Sequence, residues 1–199
     1  MTDIEVIEVN SRLFVVSTSG AYGSLLSWEW QNGNLVYRNQ VSQDGTASLP
    51  APGGLAPIMM DGAPGLVSYG GAGQGVDAYS LTATGHLRFE GEMGAGAVTF
   101  DAMLVMETAA DTYVFGDARG TDGLTMWRLE AHGGLTEIEQ LPVGLAGDGP
   151  HVPDLAHWHS GGRDYLESTA KCGAIMQPFR FLTKISAPDT IARTWCAAC

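Results

Sequence analysis

The first 171 residues contain no cysteine; Cys172, Cys196 and Cys199 all lie beyond them. No disulfide framework can therefore staple the body of the chain, and nothing in it fixes the redox compartment. No apolar run approaches the ~18 residues needed to cross a bilayer. The opening residues, MTDIEVIEVNS, have neither a basic start nor an apolar core, so no cleavable secretory signal is expected there. Basic residues are few: 10 Lys and Arg stand against 22 Asp and Glu, for a net charge of −12. A surface of that sign repels phosphate backbones and anionic membranes, which excludes nucleic acid as an expected partner. Gly-x-Ser-x-Gly and the phosphate-binding P-loop are both missing. Ser17, Ser19, Ser24 and Ser68 have no acid or histidine beside them in sequence.

What is plentiful is glycine, 27 residues, together with 45% hydrophobic residues. That pairing favours short strands and many turns. The charge is also uneven. Residues 1–166 carry 6 basic and 20 acidic side chains, whereas residues 167–199 carry 4 and 2. The composition break marks a boundary near residue 167.

The stretch from Thr112 to Leu141, TYVFGDARGTDGLTMWRLEAHGGLTEIEQL, reads as three strands joined by two glycine-bearing turns. Measured against it, the chain divides into units. In the first, RLFVVST follows IEVIEV, then SLLSWEW, then LVYRNQV after the Asn32-Gly33 hairpin signal. APIMMD, LVSY, VDAYSL and LRFEGEM form the second, and AVTFDAMLVMET, YVFG, LTMWRL and LTEIEQL the third. The fourth begins with VPDLAHWH and YLES and then decays; Pro178 stands in its expected third strand. The leucine after the last turn recurs at Leu35, Leu87 and Leu135, and a second-strand tyrosine at Tyr113 and Tyr165.

A period near 50 residues with four strands per unit describes the blade of a β-propeller. Turns every 8–12 residues lie too close together for helices. The expected fold is all-β: a partial or small β-propeller of about three and a half four-stranded blades. The blades fall at about 4–45, 54–94, 97–143 and 150–170, the last incomplete, within a repeat region 1–166. Residues 167–199 are expected as a divergent tail. The third-strand aromatics Trp28, Trp30, Tyr79 and Trp127 are expected to pack between neighbouring blades.

Three patterns have the residue types for metal chemistry. His157 and His159 are two apart, so on a strand they share a face and can hold one ion, with Asp154 nearby. The competing reading is a pair of histidines beside a loop. GGAGQGVDA, Gly70 to Ala78, brushes against a calcium-binding nonapeptide, but Asp77 stands two residues late and there is one copy; it reads as a blade link. Cys196-Ala-Ala-Cys199 is a CxxC at the last residue, where chains fray.

The units RLFVVSTSGAYGSLLSWEW, GLVSYGGAGQGVDAYSL and YVFGDARGTDGLTMWRL resemble the propeller-like N-terminal region of bacterial calcium-binding proteins of the hemolysin (RTX) type, over about residues 4–166. That resemblance implies calcium repeats and a secretion signal downstream, which these residues do not contain. Calcium and an extracellular location are thus implied for a parent protein. A looser resemblance links the same rhythm to lactonase-like propellers. The function expected from all this is a non-catalytic binding or scaffold module, a fragment of a larger secreted calcium-binding protein. Its ligand would be protein or carbohydrate, and its blade edges could self-associate. The alternative is a lactonase- or hydrolase-like enzyme with a metal near His157 and His159 in the central channel.

Overall fold

The computed structural model describes residues 3–19, 23–42, 53–70, 76–93, 100–108, 111–118, 123–130, 134–142, 154–160, 163–169, 181–186 and 190–195. They form sixteen strands in four antiparallel sheets, each of four strands in chain order. Sheet one holds β1 (Ile4–Val9), β2 (Arg12–Ser19), β3 (Ser24–Gln31) and β4 (Asn34–Ser42). Sheet two holds β5 (Gly54–Met60), β6 (Ala63–Tyr69), β7 (Val76–Leu81) and β8 (Leu87–Met93). In sheet three are β9 (Phe100–Glu107), β10 (Thr112–Ala118), β11 (Gly123–Leu129) and β12 (Leu135–Pro142), and in sheet four β13 (Asp154–Ser160), β14 (Arg163–Thr169), β15 (Phe181–Ser186) and β16 (Thr190–Trp195). The first strands are neighbours in turn, β1 beside β5, β5 beside β9 and β9 beside β13. This is the propeller arrangement that the repeat predicts.

Local chemistry explains the hairpins. Asn32-Gly33 turns β3 into β4 and Asp61-Gly62 turns β5 into β6, both with two positive φ angles. Such turns match the twist of the paired strands, and glycine enters that region without steric cost. The β1–β2 turn does the same with Asn10-Ser11, at φ 52° and 60°.

A second device repeats in the ladders. The third and fourth strands of sheets one, two and three each slip register once, at Ser27/Trp28, Ala78/Tyr79 and Met126/Trp127. Each bulge falls immediately before the third-strand aromatic. Beyond it the recurrent leucines occupy one register: Leu35 opposite Trp30, Leu87 opposite Leu81, Leu135 opposite Leu129.

The sheets are glued face to face by three apolar cores. Phe14, Val16 and Leu25 of sheet one meet Leu66, Tyr79 and Leu87 of sheet two. Val67, Val76 and Met93 meet Phe100, Val114 and Trp127. Phe115, Leu124 and Met126 of sheet three meet Leu155 of sheet four. Phe100 and Trp127 pack edge to face, with centroids 5.1 Å apart.

A polar clasp backs the first core. The buried Glu29 carboxylate accepts from Arg12 (2.8 and 2.5 Å) and from Arg38. Arg12 also donates to the Ala83 carbonyl, while Asn39 exchanges two hydrogen bonds with the Leu87 backbone. Hydrogen bonds from Arg12 and then Gln31, followed by Arg38, hold Glu29 down at about 2, against burial acting the other way.

One expectation changes. The aromatics Tyr79 and Trp127 lie buried between sheets, but Trp28 is half-buried and Trp30 is 50% exposed. Among the described residues no sheet covers the face of sheet one on which they stand. Within the segment expected as a divergent tail, 167–199, the described residues Phe181–Ser186 and Thr190–Trp195 form β15 and β16, which pair next to β14 in sheet four. β15 begins at Phe181, and Pro178, expected within the third strand of this unit, lies outside the described residues.

Candidate functional site

A groove of about 850 Å³ lies between sheets two and three. Its walls come from the β5–β6 turn, the outer strand β8, the β9–β10 turn and the end of β11. Turns place polar residues at its mouth while the inter-sheet core closes its floor at Met93 and Leu129. Five acidic residues contribute to its lining, Asp61, Glu90, Glu92, Asp111 and Glu130, with one arginine, Arg128; register sets Glu92 opposite Asp77, so its side chain belongs to the other face of sheet two.

Several of these groups are already held. Ser80 donates to Glu90 Oε1. Arg128 donates to Glu130 at 3.1 and 3.2 Å. Hydrogen bonds from Thr136 and then Arg128 lower the Glu130 carboxyl below its usual range. Thr108 and Asp111 close the β9–β10 turn by reciprocal bonds of 2.8 and 3.1 Å. Glu107, at the end of β9, reaches across to accept from the Met59 amide at 3.0 Å, tying the two sheets at the groove's edge. The result is a fixed, negative, water-accessible channel.

A second polar cluster is buried on the opposite face of sheet two. Register sets Ser68 directly opposite Asp77. Asp77 is 4% exposed, and burial, followed by the charge of Glu92, pushes its carboxyl up to about 6. Tyr79, two residues on, shares that face, and burial and then Asp77 raise its phenol above the ordinary value. The Ser68 and Tyr79 hydroxyls are buried without a partner of hydrogen-bonding geometry among the described residues. Ser68 looked isolated in sequence; only the β6–β7 pairing brings the acid to it. Two buried hydroxyls alternating with a carboxyl along paired strands were the signal available.

The predicted metal residues all fall on β13. His157 is half-buried and two positions from Leu155, which packs in the core between sheets three and four. His157 therefore stands on an inter-sheet face. The strand carries no register shift against β14, with His157 opposite Leu166 and His159 opposite Asp164. Asp154 lies three positions from His157, so the two positions belong to opposite faces of the sheet. The side chains of Asp154 and His159 lie outside what is described, as do the three cysteines and the link residues 71–75. Among the described residues no group of three or more His, Cys, Asp or Glu is arranged to hold a metal ion, and no helix is long and apolar enough to cross a membrane.

No family model matches the chain, and no curated protein matches it. Solved structures do. The chain is similar to the exo-β-1,3-galactanase of Phanerochaete chrysosporium solved with galactose (10% identity, TM-score 0.63, covering 96% of this chain and 49% of that one). It is also similar to the β-propeller domain of Cps50 (Swd1) from Myceliophteria thermophila (14%, 0.54, 85% and 50%). A third likeness is to a 6-phosphogluconolactonase-like protein of Bacteroides fragilis (14%, 0.54, 94% and 57%). The chain spans 41%, 54% and 49% of the length of three of the solved structures it matches. At these identities the likeness establishes the β-propeller fold, lactonase-like propellers included, and says nothing of chemistry.

Proposed function

We propose that the chain is a non-catalytic β-propeller binding module whose ligand is a basic protein segment seated in the groove between sheets two and three. The observation that carries this reading is the groove's charge: the acidic residues Asp61, Glu90, Asp111 and Glu130 line it with one arginine, Arg128, itself paired to Glu130. A field of one sign in a walled channel concentrates cations and guides their approach. Protein ligands fit that field better than neutral sugars, which need paired donors and acceptors. Calcium binding and secretion rest on the sequence resemblance to hemolysin-type proteins and belong, on this reading, to a longer parent.

Titration with a Lys/Arg-rich peptide tests the reading. Binding should weaken at least ~10-fold between 50 and 300 mM salt, as screening of exposed charges requires, and comparably in the Asp61→Asn, Glu90→Gln double variant. Both side chains are exposed, so the fold should survive. No binding, or binding indifferent to both changes, overturns it; salt-independent binding of a neutral oligosaccharide would favour a carbohydrate ligand.

The second reading is a lactonase- or hydrolase-like enzyme with a metal at His157 and His159, supported by their two-residue spacing on the unbroken strand β13. Stoichiometric metal in purified protein, lost in His157→Ala and His159→Ala, would establish the site. A metal-free protein that also fails to take up zinc on dialysis would remove it.

A further inference from the structure

Sheets one, two and three repeat one blade, so equivalent positions can be compared through their ladders. Val15, Leu66 and Val114 pair with the third-strand aromatics Trp28, Tyr79 and Trp127. Counted back from these pairs, Arg12, Ala63 and Asp111 stand at one position, and Phe14, Gly65 and Tyr113 at another. The residue after the aromatic is Glu29, Ser80 or Arg128. The extra residue at each bulge is Arg38, Glu90 or Ile138.

In units one and three these positions hold an arginine bonded to a carboxylate. Sheet one has Arg12 on Glu29 at 2.8 and 2.5 Å, with its guanidinium 5.3 Å from the centre of the Phe14 ring and Arg38 on the same carboxylate. Sheet three inverts the charges. Arg128 stands where sheet one has Glu29 and donates to Glu130 at 3.1 and 3.2 Å, with Asp111, at the Arg12 position, close enough to act on its charge. Sheet two is emptied instead. Ala63 stands in place of the arginine, Gly65 in place of the ring and Ser80 in place of the carboxylate. Ala78 and Gly91 stand where sheet one has Ser27 and Asn39, whose side chains bond the Gly85 and Leu87 carbonyls of the next unit. A Cβ at Gly91 would meet nothing within 4 Å. The space that these small residues leave belongs to the groove, which Ala78, Ser80, Glu90 and Gly91 line. One carboxylate of the position set remains there, Glu90 at the bulge. Ser80 donates to its Oε1, which leaves Oε2 to accept.

We infer that the groove takes an arginine side chain of its ligand, whose guanidinium brings to Glu90 the partner that sheets one and three carry within the chain. This rests on the groove being the seat of a basic protein segment, and it names the residue that anchors the segment. A planar guanidinium presents two parallel N–H donors to a carboxylate, where an ammonium offers a point charge. The methylene stem meets Met59, Met60 and Met93 in the lining, unbranched side chains that adapt to it. Met60 already lies over Gly65, its Cε 2.5 Å from where a Cβ would stand, and so takes the place of the Phe14 ring.

The test titrates the full chain, by calorimetry at low salt, with peptides of one sequence and one charge that carry arginine, lysine or asymmetric dimethylarginine. The arginine peptide should bind at least ~10-fold tighter than either of the others, the scale of a hydrogen-bonded charge pair. Dimethylation keeps the charge and blocks the fork, so it separates geometry from attraction. Glu90→Gln should erase the preference. Ala63→Arg with Ser80→Glu rebuilds the sheet-one pair in sheet two at unchanged net charge, and should weaken the arginine peptide by the same factor. Circular dichroism checks the fold of that variant, and the comparison of peptides on the natural chain needs no variant at all. Equal, salt-sensitive affinities for arginine and lysine peptides overturn the inference and leave the groove as a site for basic segments. A preference for arginine that survives Glu90→Gln, or that survives the rebuilt pair, overturns it too. No binding by any of the peptides removes both the inference and the reading of the groove beneath it.

Discussion

Asp77 offers a sharp test of how the core between sheets one and two is built. Its carboxyl is moved from an ordinary 3.8 to about 6, first by burial and then by Glu92. Because the folded chain holds the proton more tightly than the unfolded one, ionisation costs stability. Below pH 3.8 both states are protonated and the cost is nil. It grows as the pH rises toward 6 and is constant above. At 1.36 kcal/mol per pH unit the full cost is about 3 kcal/mol. Glu92 is exposed and its repulsion is screened, which leaves about 1–2 kcal/mol. Asp77→Asn keeps the shape and removes the titration. The assay is urea unfolding of both proteins at pH 4, 5, 6, 7 and 8. The variant should match the wild type at pH 4, gain on it through pH 5 and 6, and hold a constant lead of about 1–2 kcal/mol at pH 7 and 8. A gap that is independent of pH, or one that favours the wild type increasingly as pH rises, would refute the reasoning.

Three further outcomes follow from the packing. A Cβ at Gly116 would stand 2.5 Å from the Phe100 ring and 3.1 Å from that of Trp127; Gly116→Ala should lower stability by about 1–3 kcal/mol, and less in a Phe100→Leu background, which denaturant midpoints of the double cycle would show. Ser11 sits at φ 60° where the second unit has Gly62; Ser11→Gly should raise stability by about 0.5–1 kcal/mol, measured in the same way. Glu29→Gln should lower the thermal midpoint at neutral pH, since Arg12 and Arg38 lose their shared carboxylate. The depressed Glu29 group stabilises the fold above pH 4.5 and ceases to do so as pH falls toward 2, so the difference between the two proteins should close over that window.

Strand, turn and repeat were legible because they are written in local chemistry. Asn32-Gly33 names its own turn, and the recurrence of Leu35, Leu87 and Leu135 tracks a register that the ladders reproduce. The bulges before Trp28, Tyr79 and Trp127 were not legible, although they recur, because a one-residue slip leaves no composition mark. Pairing across strands was hidden for a related reason. Ser68 and Asp77 are nine residues apart and meet only through the β6–β7 register. The Glu29 clasp gathers Arg12, Arg38 and the Ala83 carbonyl from three separate stretches. The acidic groove was visible only as net charge, since its carboxylates come from two units and gain a common address when sheets two and three pack.

The third-strand aromatics separate what a repeat specifies from what it leaves to context. Trp28, Tyr79 and Trp127 occupy one register position, follow the same bulge and have similar local sequence. Their burial differs because burial is decided by the preceding sheet, which the second and third units have and the first lacks among the described residues. Local sequence fixes which face is apolar; it does not fix what lies on that face. The apolar row Val6, Val15, Trp28 and Tyr37, which no sheet covers among the described residues, exposes surface that costs about 25 cal/mol per Å² to keep in water, whereas the equivalent positions Tyr79 and Trp127 are removed from water by the sheet before them.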